Sequence, residues 1–66
     1  MPVVTIDWWE GSTPAARSRT VEQVSEAVAQ GAGCPVEAVT VVIREVDPSY
    51  WGRGGRLAAP APAAGD

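Results

Sequence analysis

Val39-Thr40-Val41-Val42-Ile43-Arg44-Glu45-Val46 is the stretch whose reading decides the fold. Its β-branched residues suit a pleated surface. Apolar side chains fall on both alternating faces, with Val39, Val41 and Ile43 on one and Val42 and Val46 on the other. Upstream, Val21, Val24 and Val28 recur at helical spacing, supported by Ala27, while Arg19, Glu22, Gln23, Glu26 and Gln30 take the opposite face. The spacing predicts a helix from Pro14 to about Gly31, with Thr13 or Ser12 as its cap and Pro14 at the first position, where no N–H is needed. Gly31, Gly33 and Pro35 stop it. Further upstream, Val3-Val4-Thr5-Ile6-Asp7-Trp8-Trp9 reads as another strand, followed by a Glu10-Gly11 turn. Strand, helix and strand make one βαβ unit of the α/β (α+β) class, with parallel strands and a right-handed crossover.

One helix covers one face of a sheet, yet both strands are apolar on both faces. Two strands are also too few to stand alone in water. A chain of 66 residues lies near the lower limit for folding on a single core, and its lone cysteine, Cys34, forms no internal disulfide. An apolar content of 45% leaves surface to bury between subunits, so the chain is expected to be an obligate oligomer. Asp47-Pro48-Ser49-Tyr50-Trp51-Gly52-Arg53-Gly54-Gly55-Arg56 is dense in turn formers and suggests a short C-terminal hairpin or ordered loop that buries Tyr50 and Trp51. Residues 1–56 form the expected domain, and residues 57–66 an Ala/Pro-rich tail expected to be mobile.

Composition excludes several chemistries. Histidine is absent, which removes the commonest general base and metal ligand. Cys34 has no basic sequence neighbour and reads as a small buried apolar residue. No metal site and no cofactor are expected. Eight acids against five arginines give a net charge of −3, which argues against nucleic acid or an anionic membrane as partner. No apolar run reaches membrane-spanning length and no secretion signal is read, so a cytoplasmic location is expected. The absence of Lys, Phe, His and Asn alongside abundant Ala, Gly, Pro, Val and Arg suggests a GC-rich bacterial source.

The remaining candidate catalysts are carboxylates, arginines, hydroxyls, one thiol, one tyrosine and the chain's opening residues Met1-Pro2. Trimming of Met1 leaves Pro2 with a free secondary amine, able to act as base or nucleophile. Pro2 opening a strand, the Glu10-Gly11 turn, Ser25-Glu26-Ala27 in the helix, and Pro35 leading into Val39-x-Val41-Val42-Ile43-x-Glu45 occur together here. With Trp51-Gly52-x-Gly54-Gly55, this set resembles the 4-oxalocrotonate tautomerase family of the tautomerase superfamily, without gaps from Pro2 to about Arg56. The resemblance implies a protomer that pairs into a four-stranded sheet in a dimer, usually within a homohexamer. It also implies that the amino-terminal proline is the general base, in a pocket shared between subunits. Trp51 stands where family members carry a large aromatic pocket residue. Trp9 stands at another pocket position, often a smaller aliphatic, and reads equally as core or interface packing. Trp8 is read as core or interface packing.

Two departures bear on substrate. Family members use two arginines to hold substrate carboxylates and polarise a carbonyl oxygen; the matching positions here are Ser12 and Thr40. Losing a positioned donor to a developing oxyanion costs about 100- to 1000-fold in rate. Among the five arginines, Arg53 is the expected substitute because it lies two residues beyond Trp51. Arg17 and Arg19 read as solvated helix charges, and Arg44 as the partner of a neighbouring acid. The resulting expectation is an isomerase using Pro2 for keto–enol or double-bond migration in a small-molecule carbonyl or enol substrate with fewer carboxylates than the family's diacid. Two alternatives stand beside it: iminium formation at Pro2 for carbon–carbon bond chemistry, and a non-catalytic oligomer whose inherited pocket binds a ligand.

Overall fold

The computed structural model describes residues 1–59 of the chain. Strand β1 (Val3–Trp9) leads into helix α1 (Pro14–Ala32), a 3-10 turn (Val36–Ala38) and strand β2 (Thr40–Val46). A second 3-10 turn (Pro48–Tyr50) precedes the hairpin formed by β3 (Gly52–Arg53) and β4 (Arg56–Leu57). β1 and β2 are parallel, paired from Val3 against Thr40 to Trp9 against Val46. Backbone bonds extend the ladder past both ends: Thr40 N donates to Pro2 O at 3.0 Å, and Glu10 N to Val46 O at 3.0 Å.

Each boundary has a local cause. Thr13 Oγ1 accepts from Ala16 N at 3.1 Å, satisfying one N–H of the first turn, and Pro14 follows it. At the other end Gly33 turns left-handed, with φ 71°, and its N–H returns to Ala29 O at 2.9 Å. In the hairpin Gly54 and Gly55 have φ 60° and 81°, the positive pair that a two-residue turn between twisted strands requires.

The helix lies over the sheet through Val21, Val24, Ser25, Val28 and Ala29, in the order i, i+3, i+4, i+7, i+8. Ser25 and Ala29 are its buried residues. Ala27, expected on this face, is exposed instead. It sits more than 100° around the helix from the middle of the stripe, because each residue advances by about 100°. Facing α1 are the half-buried Val4, Ile6 and Trp8 of β1 and Val41 and Ile43 of β2. The reverse face carries Val3, Thr5, Asp7 and Trp9 beside Thr40, Val42, Arg44 and Val46, and there Val3 is 64% and Trp9 53% exposed. No side chain among the described residues is fully buried. One protomer therefore leaves the second apolar face of its sheet uncovered, as the two-faced strand pattern implies.

Three further expectations meet the structure here. Tyr50, expected to be buried, is 83% exposed, since the 3-10 turn sends Trp51 toward the sheet and Tyr50 away from it. Cys34 is half-buried rather than enclosed, at the helix C-terminus. The expected tail begins at residue 57, where Leu57 pairs with Gly52, Ala58 N donates to Trp51 O at 2.8 Å, and Ala59 N donates to Pro48 O at 3.3 Å. The rest of the expected tail, residues 60–66, lies outside the described residues.

Candidate active site

Pro2 stands at the start of β1, half-buried, with its carbonyl pinned by the N–H of Thr40. Thr40 itself faces Val3 on the open side of the sheet. Met1 is 97% exposed and accessible to a peptidase. While Met1 is attached the Pro2 nitrogen is an amide without basicity; once Met1 is removed it is a secondary amine.

The opposite end of β1 carries the aromatic residues. Trp9 and Trp51 meet edge to face, with ring centroids 6.3 Å apart and planes at 89°. Asp7, Trp8, Trp9 and Trp51 line a cleft of about 340 Å³, at the small end of the range for ligand sites. Trp8 also carries a buried Nε1–H with no partner among the described residues. Seven strand steps separate Pro2 from Trp9, about 23 Å at ~3.3 Å each. Of the residues singled out from sequence, the structure thus brings Trp9 and Trp51 together and sets Pro2 with Thr40 at the far end. Arg53 is exposed on the hairpin, across from Arg56, and is not in the cleft wall.

Ser12 takes part in a network that sequence reading did not anticipate. Its N–H and its hydroxyl both donate to Glu45 Oε2. Arg17 Nη1 donates to Ser12 O at 2.8 Å and to Ser12 Oγ at 3.0 Å, and lies 3.3 Å from Glu45 Oε2. Arg17 was expected to be a solvated charge. It is instead half-buried, one turn into α1, and reaches back over the helix start. The Ser12 hydroxyl, the Ser12 N–H and the Arg17 guanidinium hold the Glu45 carboxyl below the usual carboxylate range, against the opposing effect of burial. Arg44 faces Asp7 in the register, but no ion pair joins it to an acid among the described residues. Helical spacing does not flag Arg17, because five residues is not a neighbour separation on a helix and Ser12 precedes its start, and its acid could not be found without the strand register.

Within the described residues no group of His, Cys, Asp and Glu is arranged to hold a metal ion, and no helix is long and apolar enough to cross a membrane.

Comparison with known proteins gives a consistent result. The family described as "Tautomerase enzyme" matches residues 2–59. A 2-hydroxymuconate tautomerase of Pseudomonas putida is 38% identical over 55 residues, covering 83% of this chain and 87% of its own. The crystal structure of TomN, a 4-oxalocrotonate tautomerase homologue in the tomaymycin biosynthetic pathway, superposes with a TM-score of 0.82. It is 33% identical, over 86% of this chain and 88% of its own. A heterohexameric 4-oxalocrotonate tautomerase from Chloroflexus aurantiacus superposes with a TM-score of 0.85 at 27% identity, over 94% of this chain and all of its own. The match over nearly the whole described chain, on a fold with the same βαβ order and C-terminal hairpin, makes this protein a member of the 4-oxalocrotonate tautomerase family of tautomerases.

Proposed function

We propose that the chain is an isomerase whose Pro2, freed by removal of Met1, is the general base of a site assembled from two protomers. The carrying observation is the division of the site along β1: the proline lies at one end, and the Trp9–Trp51 cleft about 23 Å away at the other. β1 pairs only with β2 among the described residues, so its other edge is open. Two such edges joined antiparallel about Thr5 or Ile6 make a four-stranded sheet with both helices on one side. Each Pro2 then reaches the Trp9 end of the second protomer. The uncovered face bearing Val3, Trp9 and Val42 supports further association of such dimers, with a homohexamer as the expected assembly.

The chemistry follows from the environment. A free α-amine titrates near pH 8 in model peptides, and apolar walls disfavour its charged form. Beside two indole rings Pro2 is therefore substantially neutral near neutral pH. It takes a proton from an enol hydroxyl, or from carbon next to a carbonyl, and returns it at the other end of the conjugated system. With Ser12 and Thr40 in place of cations, a dicarboxylate substrate loses two charge-assisted contacts of about 1.5–3 kcal/mol each. A conjugated carbonyl compound with one carboxylate or none suits the site better. A cytoplasmic location in a bacterial cell belongs to the same proposal.

Intact mass and turnover test it together. The natively processed chain should lack Met1 and should ketonise an aryl pyruvate enol, and Pro2→Ala should abolish that activity. Retained Met1, or full activity of Pro2→Ala, overturns the proposal. Borohydride trapping of a carbonyl adduct on the N-terminal peptide would instead identify Pro2 as a nucleophile.

A further inference from the structure

We infer that the Trp9–Trp51 cleft is an aromatic cage for a small organic cation, with Asp7 as its counter-charge. The inference goes beyond the isomerase reading: it concerns the charge that the cleft accepts, whether or not Pro2 is a base.

All three tryptophans of the chain are among the four residues that line this cleft, and the fourth is Asp7. The chain's one other aromatic residue, Tyr50, is outside the lining and points into solvent. The face of an aromatic ring carries the negative part of its quadrupole, so a cation is drawn to the face. Trp9 and Trp51 stand at 89° with centroids 6.3 Å apart, which leaves a corner bounded by a face of each ring. About half of Trp9 is exposed, so its ring is accessible to a ligand.

Asp7 lies two residues before Trp9 on β1, so both side chains leave the same face of the sheet, about 7 Å apart. Asp7 makes no ion pair among the described residues, and no cation lines the cleft. Arg44, exposed, faces Asp7 from β2 without pairing to it; Arg53 is exposed on the hairpin; Arg17 is engaged with Ser12 and Glu45.

Charge and shape together rank the ligands. A carboxylate meets Asp7 and the negative ring faces, and an uncharged group gains only apolar contact. An ammonium group gains from the rings and from Asp7. Arg44 opposes that gain, since paired strands lie only about 5 Å apart. A cleft of about 340 Å³ suits one small molecule bearing an ammonium or trimethylammonium group. A cation beside the Pro2 amine of a second protomer would also favour the neutral amine, so the two readings are compatible.

Choline, its uncharged isostere 3,3-dimethylbutanol and the anion 3,3-dimethylbutyrate share one branched shape and differ in charge. Titration of the full chain with each, followed by tryptophan fluorescence and ligand-observed NMR, tests the inference without requiring turnover. Wild type should bind choline about fivefold more tightly than the alcohol, as expected for a cation over partly exposed rings, and the butyrate more weakly than the alcohol. Trp9→Leu keeps an apolar wall without a ring and should lose most of the choline preference. Asp7→Asn should lower that preference about twofold and Arg44→Gln raise it by a similar factor. Both positions are exposed, which keeps the test decisive if Trp9→Leu fails to assemble. The inference is overturned by no choline preference in wild type (absence of binding included), by full preference in Trp9→Leu, or by an unchanged preference in both Asp7→Asn and Arg44→Gln. Pro2→Ala separates the two proposals, because it should lose turnover and keep the choline preference. A choline preference in a wild type without turnover upholds the cage and refutes the isomerase reading; turnover without that preference does the reverse.

Discussion

Mixing Pro2→Ala protomers with Trp51→Ala protomers should restore activity that neither variant has alone. The distance along β1 sets the outcome. Pro2 and the Trp9–Trp51 cleft of one protomer are about 23 Å apart, beyond the reach of any side chain, so a site that uses both must draw on two chains. In a two-fold dimer every mixed pair then holds one intact site and one doubly defective site. Random reassembly at equal amounts makes half the dimers mixed, so about a quarter of all sites become intact. Assembly of dimers into hexamers leaves that fraction unchanged.

The assay is ketonisation of an aryl pyruvate enol after joint denaturation and refolding, with circular dichroism and gel filtration to verify assembly. Recovery of about a quarter of wild-type turnover is expected, against the near-zero mean of the separate variants. The reverse mixture sharpens the test. Wild type mixed with the Pro2→Ala/Trp51→Ala double variant should fall to about a quarter of full activity, because both sites of every mixed dimer are defective; a site within one protomer predicts about one half. No recovery in the first mixture together with one half in the second would refute the shared-site argument.

The other predictions concern stability, read by thermal unfolding at fixed protein concentration because the folded state is an assembly. Gly33→Ala should lower the melting temperature by about 4–8 °C, from a cost of about 1 kcal/mol. An added Cβ meets nothing within 4 Å, so the cost is conformational and arises from φ 71°; an unchanged melting temperature would count against the helix-stop geometry. Glu45 and Asp47 both titrate below their ordinary values of 4.5 and 3.8. Glu45 is lowered chiefly by the Ser12 hydroxyl, and Asp47 by the N–H and hydroxyl of Ser49. A carboxylate depressed on folding stabilises above its unfolded value and loses that contribution as pH falls through the lower folded one. Melting temperature should therefore drop between about pH 5 and about pH 3, and less steeply in Glu45→Gln. Identical slopes would remove the Ser12–Glu45–Arg17 network from the account.

Much of the fold was legible because its signals are local. The β-branched run from Val3 and the valine spacing of the helix each depend on neighbours a few residues apart, and β1 spans the expected seven residues. Thr13, Pro14 and Gly33 mark the helix ends for reasons carried in each residue's own backbone and side chain. The Gly54-Gly55 turn is of the same kind. The helix stripe was read less well. Hydrophobicity picks out Val21, Val24 and Val28, but the buried positions of the helix are Ser25 and Ala29, whose small side chains are the more easily enclosed. Ser25 is polar and Ala29 gives little hydrophobic signal, so volume decided what hydropathy could not.

By itself the sequence determined the order of elements, the need for a partner surface on the second face of the sheet, and the family to which Pro2 and the Trp51-Gly52-x-Gly54-Gly55 segment belong. Tertiary structure decided which distant residues meet. Pairing Trp8 with Glu45 brings together Ser12 and Glu45, 33 residues apart, and Arg17 and Glu45, 28 apart. The same register sends Pro2 and the tryptophan cleft to opposite ends of one strand. Such contacts depend on strand register and helix rotation, which local patterns of residue type do not encode. A cation that read as solvated charge thereby becomes a half-buried member of the Ser12–Glu45 network.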